Sequence, residues 1–515
     1  MTLPRIKLHR MSRTFLCFLS CSVIFTIILV VSFASIKFIS TEPAKKDALQ
    51  NFGYAFNLAK HGIYSIDGVY SMPADDADLK PSMKREPLPN VVLAAWLRLT
   101  APNSLKLTVS EANRGENVRW AKFSNIIWIC IIIVLVFISV NDFTKSMMLA
   151  VLASAVCAYW MVLLSGMIDR LYTEPQAAAT ILGSSYLLAL SVRRSSVGLG
   201  LAAGVVGGCV ALTKAVALYV LPFVALGMMV LLVLRGRRLL PGLLIGIAFL
   251  FGSSLVVGPW IARNTILFNE SQISTNAGKV LYVRMLYDGM TSSEYRGSFY
   301  VWAPSGVKHL FEKYLGFKRS DLEEGGSLRR LTRGKMLPQD KLAIQKHKPE
   351  LATTYYNQTK AELKRRIHIF AKQGHPDRTR AAQQDMKSEA VASILEMPLD
   401  HLTVSLPIAW RGIWVRGLAP WLAFVCFLSL LALPIIGIAM RRWEYVAFSL
   451  LPLGIYAIYS LGSHHITRYT LPIVPTMFVA IAVIFGLMAH AALNLVPPST
   501  VSRLHNGLTH RGNHQ

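Results

Sequence analysis

Two acids and a set of fixed cations hold most of the chemistry available to this sequence. Asp47, Lys84-Arg85-Glu86-Pro87, Glu174-Pro175, Lys214, Pro259-Trp260-Ile261-Ala262-Arg263-Asn264 and His464-His465-Ile466-Thr467-Arg468-Tyr469 stand at the ends of apolar runs or in the loops between them. A carboxylate can take a proton from a hydroxyl, and Lys or Arg can hold a phosphate as charge develops on it. Together they suit an anionic lipid-phosphate substrate and a hydroxyl acceptor. Each also has an ordinary structural role. Asp47 and the Thr173-Glu174-Pro175 run are good helix-start chemistry. Lys214 is placed for a tight turn, and Arg263 for the end of a span. Pro259-Trp260 reads as a kink with an interfacial aromatic, and His464 and His465 as polar loop residues. What lifts the set above these roles is that its members share one side of a membrane.

That side follows from composition and spacing. The chain has 515 residues, of which 53% are apolar and only 16% charged. A soluble chain carries about a quarter charged residues to wet its surface. The apolar residues cluster into blocks of about 20, the length that crosses about 30 Å of hydrocarbon. A soluble enzyme, a disordered chain and a secreted disulfide scaffold are excluded. Lys and Arg number 54 against 28 Asp and Glu, a net charge of +26. In a membrane protein this reflects cytoplasmic anchoring charge and sites for anionic lipid or phosphate. No basic and aromatic run forms a nucleic-acid module. Cys17, Cys21, Cys130, Cys157, Cys209 and Cys426 fall inside apolar runs without metal or disulfide spacing, and read as small buried hydrophobes.

Ten spans are expected, at 14–38, 122–140, 147–165, 174–192, 197–213, 215–234, 239–262, 419–440, 443–461 and 470–493. The first follows Arg5, Lys7, Arg10 and Arg13 and is too long for a signal peptide, so it reads as an anchor. With the N-terminus in the cytoplasm, Lys145, Arg193-Arg194, Arg235, Arg237, Arg238 and Arg441-Arg442 also fall there, and Arg503 and Arg511 lie in a cytoplasmic tail, 494–515. Opposite short loops hold only Arg170, Lys214 and Arg468, so the positive-inside rule is obeyed loop by loop. The long segments 39–121 and 263–418 then lie outside the cytoplasm, and the chain divides into an N-terminal module 1–262, the outer region 263–418, C-terminal helices 419–493 and the tail. Residues 46–60 place Ala48, Leu49, Phe52, Ala55, Phe56 and Ala59 on one helical face, with Gly62 as a stop. This pattern predicts an amphipathic helix on the membrane surface. Short helices are expected near 311–315 and 390–395.

These segments resemble a known group. Asp47 with its Tyr-containing helix and HGIYS, then REPLPNVVLAAWL (85–97), are similar to the first outer loop of GT-C glycosyltransferases. Those are polyprenyl-phosphate-sugar-dependent enzymes, among them protein O-mannosyltransferases and the lipid A aminoarabinose transferase. LYTEPQAAATILGSSYLLAL (171–190), GGCVALTKAVALYVLPFVAL (207–226), GPWIARNTILFN (258–269), EAVASILEMPLDHLTVSLPIAWRGIW (389–414) and RYTLPIVPTMFVAIA (468–482) continue the pattern in family order. The resemblance implies an all-α polytopic bundle of about 10 transmembrane helices with outer loop helices. It implies transfer of a sugar from a polyprenyl-phosphate donor to a glycan, lipid or protein acceptor outside the cytoplasm, with inversion. Asp47 would be the general base and Glu174 a second acid. Lys84, Arg85, Lys214, Arg263 and Arg468 would neutralise the donor phosphate, and Tyr54, His61, His465 and Tyr469 would line the substrate pocket. Pro87-Leu88-Pro89 replaces the family's paired prolines, and Ala215 follows Lys214 where many relatives carry proline. No adjacent acid pair accompanies Asp47, and Asp75-Asp76 reads as a solvated turn, so no metal or other cofactor is expected. A bacterial inner membrane suits the resemblance. The competing classes are a transporter or lipid flippase, and a non-catalytic scaffold of the same fold.

Overall fold

The computed structural model describes residues 13–69, 79–236, 239–275, 277–333 and 336–495. Arg5, Lys7, Arg10, Asp75-Asp76, Arg237, Arg238 and the tail residues Arg503 and Arg511 lie outside them. Among the described residues the chain is built from helices, with no strand.

All ten expected spans coincide with helices: Arg13–Phe38, Gly115–Thr144, Met147–Tyr159 continued by Trp160–Leu164, Glu174–Arg194, Val197–Thr213, Leu221–Leu234, Leu239–Phe268, Pro420–Ala439, Trp443–Gly462 and a final stretch ending in Val474–Leu495. Six are long and apolar enough to cross a membrane, and three more are shorter apolar helices. The tenth, Glu174–Arg194, is too polar for that test, and part of its polarity is satisfied inside the protein. Its Thr180, Ser184, Ser185 and Ser191 are buried. Thr180 donates to Gln176 O at 2.9 Å and Ser184 to Ala203 O at 2.9 Å. Returning hydroxyls to carbonyls is how polar residues are tolerated where water is absent.

Two ends of this bundle are told apart by their ion pairs. At one, Arg193 binds Asp142 at 2.5 Å, and Arg235 donates to Arg193 O at 3.0 Å. The other gathers the residues singled out above. A seam of close approach joins two of the helices that reach that second end. Gly200, Gly204 and Gly208 of Val197–Thr213 meet Ile245, Phe249 and Ser253 of Leu239–Phe268 in the same order, so the two helices run parallel. A Cβ at Gly204 would stand 2.0 Å from Phe249 O. Small residues at i, i+4, i+8 let backbones touch and gain dispersion that lipid tails cannot replace.

The segments between the spans form two further cores. Phe52 and Phe56 pack with Leu93, Leu97 and Val118. Tyr287, Tyr300, Tyr355 and Ile408 unite the helices of 277–413. Burying one such large side chain is worth about 1.5–3 kcal/mol. The expected helices near 311–315 and 390–395 are the ends of Ser305–Leu315 and Arg378–Glu396. The Asp47–His61 helix is as long as expected and stops at Gly62, whose φ is 73°. It does not expose one face to lipid, however. Asn51, Tyr54 and Asn57 are buried alongside its apolar residues, and Asn51 and Asn57 donate to Leu171 O and Ser65 O. Amide donors returned to backbone carbonyls allow a helix with one apolar face to be enclosed on others.

Candidate functional site

Both candidate acids begin helices. Lys46, with φ 54° and ψ −122°, turns the chain so that Asp47 opens the Asp47–His61 helix. Glu174 opens Glu174–Arg194 with Pro175 behind it, a residue whose fixed φ suits the first turn. Each carboxylate therefore sits at the positive end of a helix dipole, as its ordinary structural role predicts. The rest of the arrangement goes beyond that role.

Arg468 lies in a single helical turn, Thr467–Thr470, and its guanidinium joins the two acids. Nη1 donates to Asp47 Oδ2 at 2.8 Å. Nε and Nη2 donate to Glu174 Oε1 and Oε2 at 2.7 and 3.3 Å. The Arg468 guanidinium also lies 3.7 Å over the Tyr172 ring, which fixes its plane by cation–π attraction. Arg85 closes one end of the chain of charges, donating from Nη2 to Asp47 Oδ1 at 2.5 Å and from Nε to Gln50 Oε1 at 2.8 Å. Lys214 closes the other, 3.1 Å from Glu174 Oε1. The order is Arg85, Asp47, Arg468, Glu174, Lys214, drawn from five separate segments.

The two acids differ in access. The Asp47 side chain is 43% exposed, whereas that of Glu174 is 0% exposed. Burial pushes the Asp47 carboxyl up, but Arg85 and Arg468 outweigh it and hold the group at about 2. Asp47 is thus fully ionised at neutral pH and a weak base while both arginines grip it. Glu174 can reach nothing but its cations, so it orients Arg468 and Lys214.

Buried contacts behind the network hold it in place. Lys122 pairs with Asp169 at 2.9 Å, and Asn125 donates to Ile168 O and Arg170 O, both at 3.0 Å. These fix the strip that ends at Tyr172 and Glu174. Tyr64 donates to Glu86 O at 3.0 Å, and Asn90 donates to the Tyr64 hydroxyl at 2.6 Å. Tyr54 is stacked on Tyr64 at 4.4 Å and bonds Ser82 at 2.6 Å. Burial raises the Tyr54 phenol to about 12, so it stays a neutral buttress of the loop that presents Lys84 and Arg85.

The other expected residues scatter. Lys84 is half-buried, its pKa lowered by burial and by Arg85, with Asp47 opposing and Lys279 adding to the fall. Arg263 stacks over Trp260 at 4.5 Å and bonds Asn264 at 2.8 Å, away from both carboxylates. His61 ends the Asp47–His61 helix, about 21 Å along its axis from Asp47 at 1.5 Å per residue. His465 is not a loop histidine facing substrate. It is fully buried, with Ser460 at Nδ1 and Thr470 at Nε2, 2.9 and 3.0 Å away, and burial lowers its pKa to about 3. Tyr469 stacks on Tyr459 at 4.7 Å and stands 5.6 Å from His464, ring to ring.

Several partners escaped the sequence reading. Tyr172 and Gln50 could have been found as polar neighbours of Glu174 and Asp47 in sequence. Lys279, Arg333, Tyr356 and Lys360 gave no such signal, since they sit in the long segment 263–418 without any motif. Arg333 lies 3.8 Å, Lys360 4.5 Å and Lys279 5.1 Å from the centroid of the Tyr356 ring. Among the described residues no three His, Cys, Asp or Glu side chains form a metal-binding group.

No family model matches the chain, and no curated protein does. Among solved structures it is similar to the archaeal oligosaccharyltransferase AglB from Archaeoglobus fulgidus, in complex with an inhibitory peptide and a dolichol-phosphate. That match is 11% identical, with a TM-score of 0.45, and covers 92% of this chain and 52% of that one. It is also similar to the apo oligosaccharyltransferase of the same organism, at 12% identity, a TM-score of 0.44 and the same two coverages. The chain spans about half the length of these structures.

Proposed function

We propose that this chain is an integral-membrane glycosyltransferase of GT-C-like architecture. It moves a sugar from a polyprenyl-phosphate donor to an acceptor hydroxyl on the extracytoplasmic side, in a bacterial inner membrane. The observation that supports this most is the half-open network in which Asp47 and Glu174 share Arg468, flanked by Arg85 and Lys214.

In this reading the donor phosphate draws Arg85 and Arg468 toward itself. Asp47 then loses the charges that hold its pKa at about 2 and becomes a stronger base. The acceptor oxygen bonds to the anomeric carbon as the bond from that carbon to the phosphate oxygen breaks. The bonding pair leaves on the phosphate, the acceptor proton passes to Asp47, and the anomeric centre inverts. General-base assistance of this kind is worth about 10²–10⁴-fold, and cations fixed where the phosphate charge develops add to it. Glu174 stays buried and acts as a positioning residue for Arg468 and Lys214.

The test uses purified protein with radiolabelled polyprenyl-phosphate sugars, beside Asp47→Asn. Transfer of label or release of polyprenyl phosphate by the wild type alone is the expected result. A folded wild type that turns over no donor would overturn the reading in favour of a scaffold or a transporter.

A further inference from the structure

The Asp47 network is close to electrically balanced, with three cations against two carboxylates. Beside it lies a cluster that is not. Lys279, Arg333 and Lys360 come from three separate segments and converge on one ring, that of Tyr356, at 5.1, 3.8 and 4.5 Å. Among the described residues none of the three forms a salt bridge with a carboxylate; their side-chain polar contacts are with Tyr356, Asn357 and His464. Like charges gathered around one side chain repel one another, so the fold gains little by collecting them. Functional sites are where such costs are tolerated.

A second observation points to a missing ligand. His464 is 5% exposed, and its Nε2 lies 2.7 Å from Arg333 Nη2. The guanidinium can only donate, so Nε2 accepts and Nδ1 carries the ring proton. That Nδ1 is a buried donor without a hydrogen-bond partner. Burial and the neighbouring Arg333 hold His464 well below the ordinary histidine pKa, in keeping with a neutral ring. The three cations also pull the Tyr356 phenol below its usual value against the effect of burial. Arg333 is exposed, and Tyr356, Lys279 and Lys360 are partly exposed, so an anion can enter. Tyr469 connects the cluster with the network, since it follows Arg468 in the chain and its ring stands 5.6 Å from that of His464.

From this arrangement we propose that Lys279, Arg333, Lys360 and His464 form a phosphate-binding site next to the Asp47 network and distinct from it. The phosphate belongs either to a phosphorylated acceptor or to the polyprenyl donor, and in the second case this site, not Arg85 and Arg468, holds the donor phosphate. Its cations are not committed to carboxylates, whereas Arg85, Arg468 and Lys214 are. The inference rests on the glycosyl-transfer reading only for the identity of that ligand. Because it is measured by binding without turnover, the two can fail separately.

The experiment uses the full chain in nanodiscs and titrates two probes by calorimetry, polyprenyl phosphate within the bilayer and inorganic phosphate in solution. The variants are Arg333→Gln, Arg333→Lys and the triple Lys279→Gln, Arg333→Gln, Lys360→Gln. Loss of charge-assisted contacts should weaken binding at least tenfold in the triple variant, less in Arg333→Gln, and least in Arg333→Lys. Weakened binding of polyprenyl phosphate, with inorganic phosphate competing, assigns the site to the donor. Weakened binding of inorganic phosphate alone assigns it to the acceptor. Removing mutually repelling charges should leave the unfolding temperature of the triple variant unchanged or raised, which separates lost binding from lost folding. Equal binding of both probes by the wild type and a folded triple variant would overturn the proposal, as would a wild type that binds neither.

Discussion

Arg468 and Asp47 are 421 positions apart in sequence, yet Nη1 of the first lies 2.8 Å from Oδ2 of the second. The same guanidinium forks onto Glu174. A side chain on the last span thereby sets the charge state of an acid on the first outer helix. The planar fork is essential to that double grip. Arg468→Lys should keep the charge but satisfy only one carboxylate, lowering transfer at least tenfold while Arg468→Gln lowers it further. Rates of label transfer for the two variants, each checked for folding, test this order.

Asp47→Asn should remove about 10²–10⁴-fold of the transfer rate and cost only a modest part of the stability, because the side chain is 43% exposed and its ion pairs are screened by water. Turnover and thermal unfolding measured on the same preparation decide it. A large loss of stability would mark Asp47 as a structural charge.

Glu174→Gln should behave in the opposite way. It leaves Lys214 without a carboxylate and Arg468 with Asp47 alone, at an acid position that is fully buried. Breaking a buried pair by removing one partner costs about 3–5 kcal/mol. Chemical denaturation of the variant should show that loss even with no substrate present.

The Asp47 carboxyl falls from its ordinary 3.8 to about 2 in the folded chain. A group depressed in this way stabilises the fold above its unfolded value and loses that contribution as pH falls through the folded one. The stability difference between the wild type and Asp47→Asn should therefore be constant above about pH 4 and narrow between there and about pH 2. Unfolding temperatures across that window give the comparison.

Sidedness is checked by single cysteines at exposed positions on the two ends. Lys46→Cys, beside Asp47, should react with a membrane-impermeant maleimide added to intact cells. Lys145→Cys, exposed at the opposite end, should react only after the membrane is opened.

The spans were legible because an apolar block of about 20 residues has one economical place to go, and every expected block coincides with a helix. Asp47, Arg85, Glu174, Lys214 and Arg468 were legible as a set through the one side to which the positive-inside rule assigns them, although no pairing among them could be read. Burial was the less visible quantity. The Asp47–His61 helix shows one apolar face in sequence, and only the partners of Asn51 and Asn57 reveal that it is enclosed. His464 and His465 read as loop polarity, but Ser460, Thr470 and Arg333 satisfy three of their ring nitrogens from inside the protein. The Tyr356 cluster was invisible, because its cations Lys279, Arg333 and Lys360 come from three separate segments and follow no common period.

The glycine seam between Val197–Thr213 and Leu239–Phe268 leaves those helices no slack. Lys214 at the end of one and Arg263 near the end of the other are therefore carried on a single stiff beam. The helices of 277–413 stand outside that beam, joined to the spans through separate contacts such as Arg411 with His464 O.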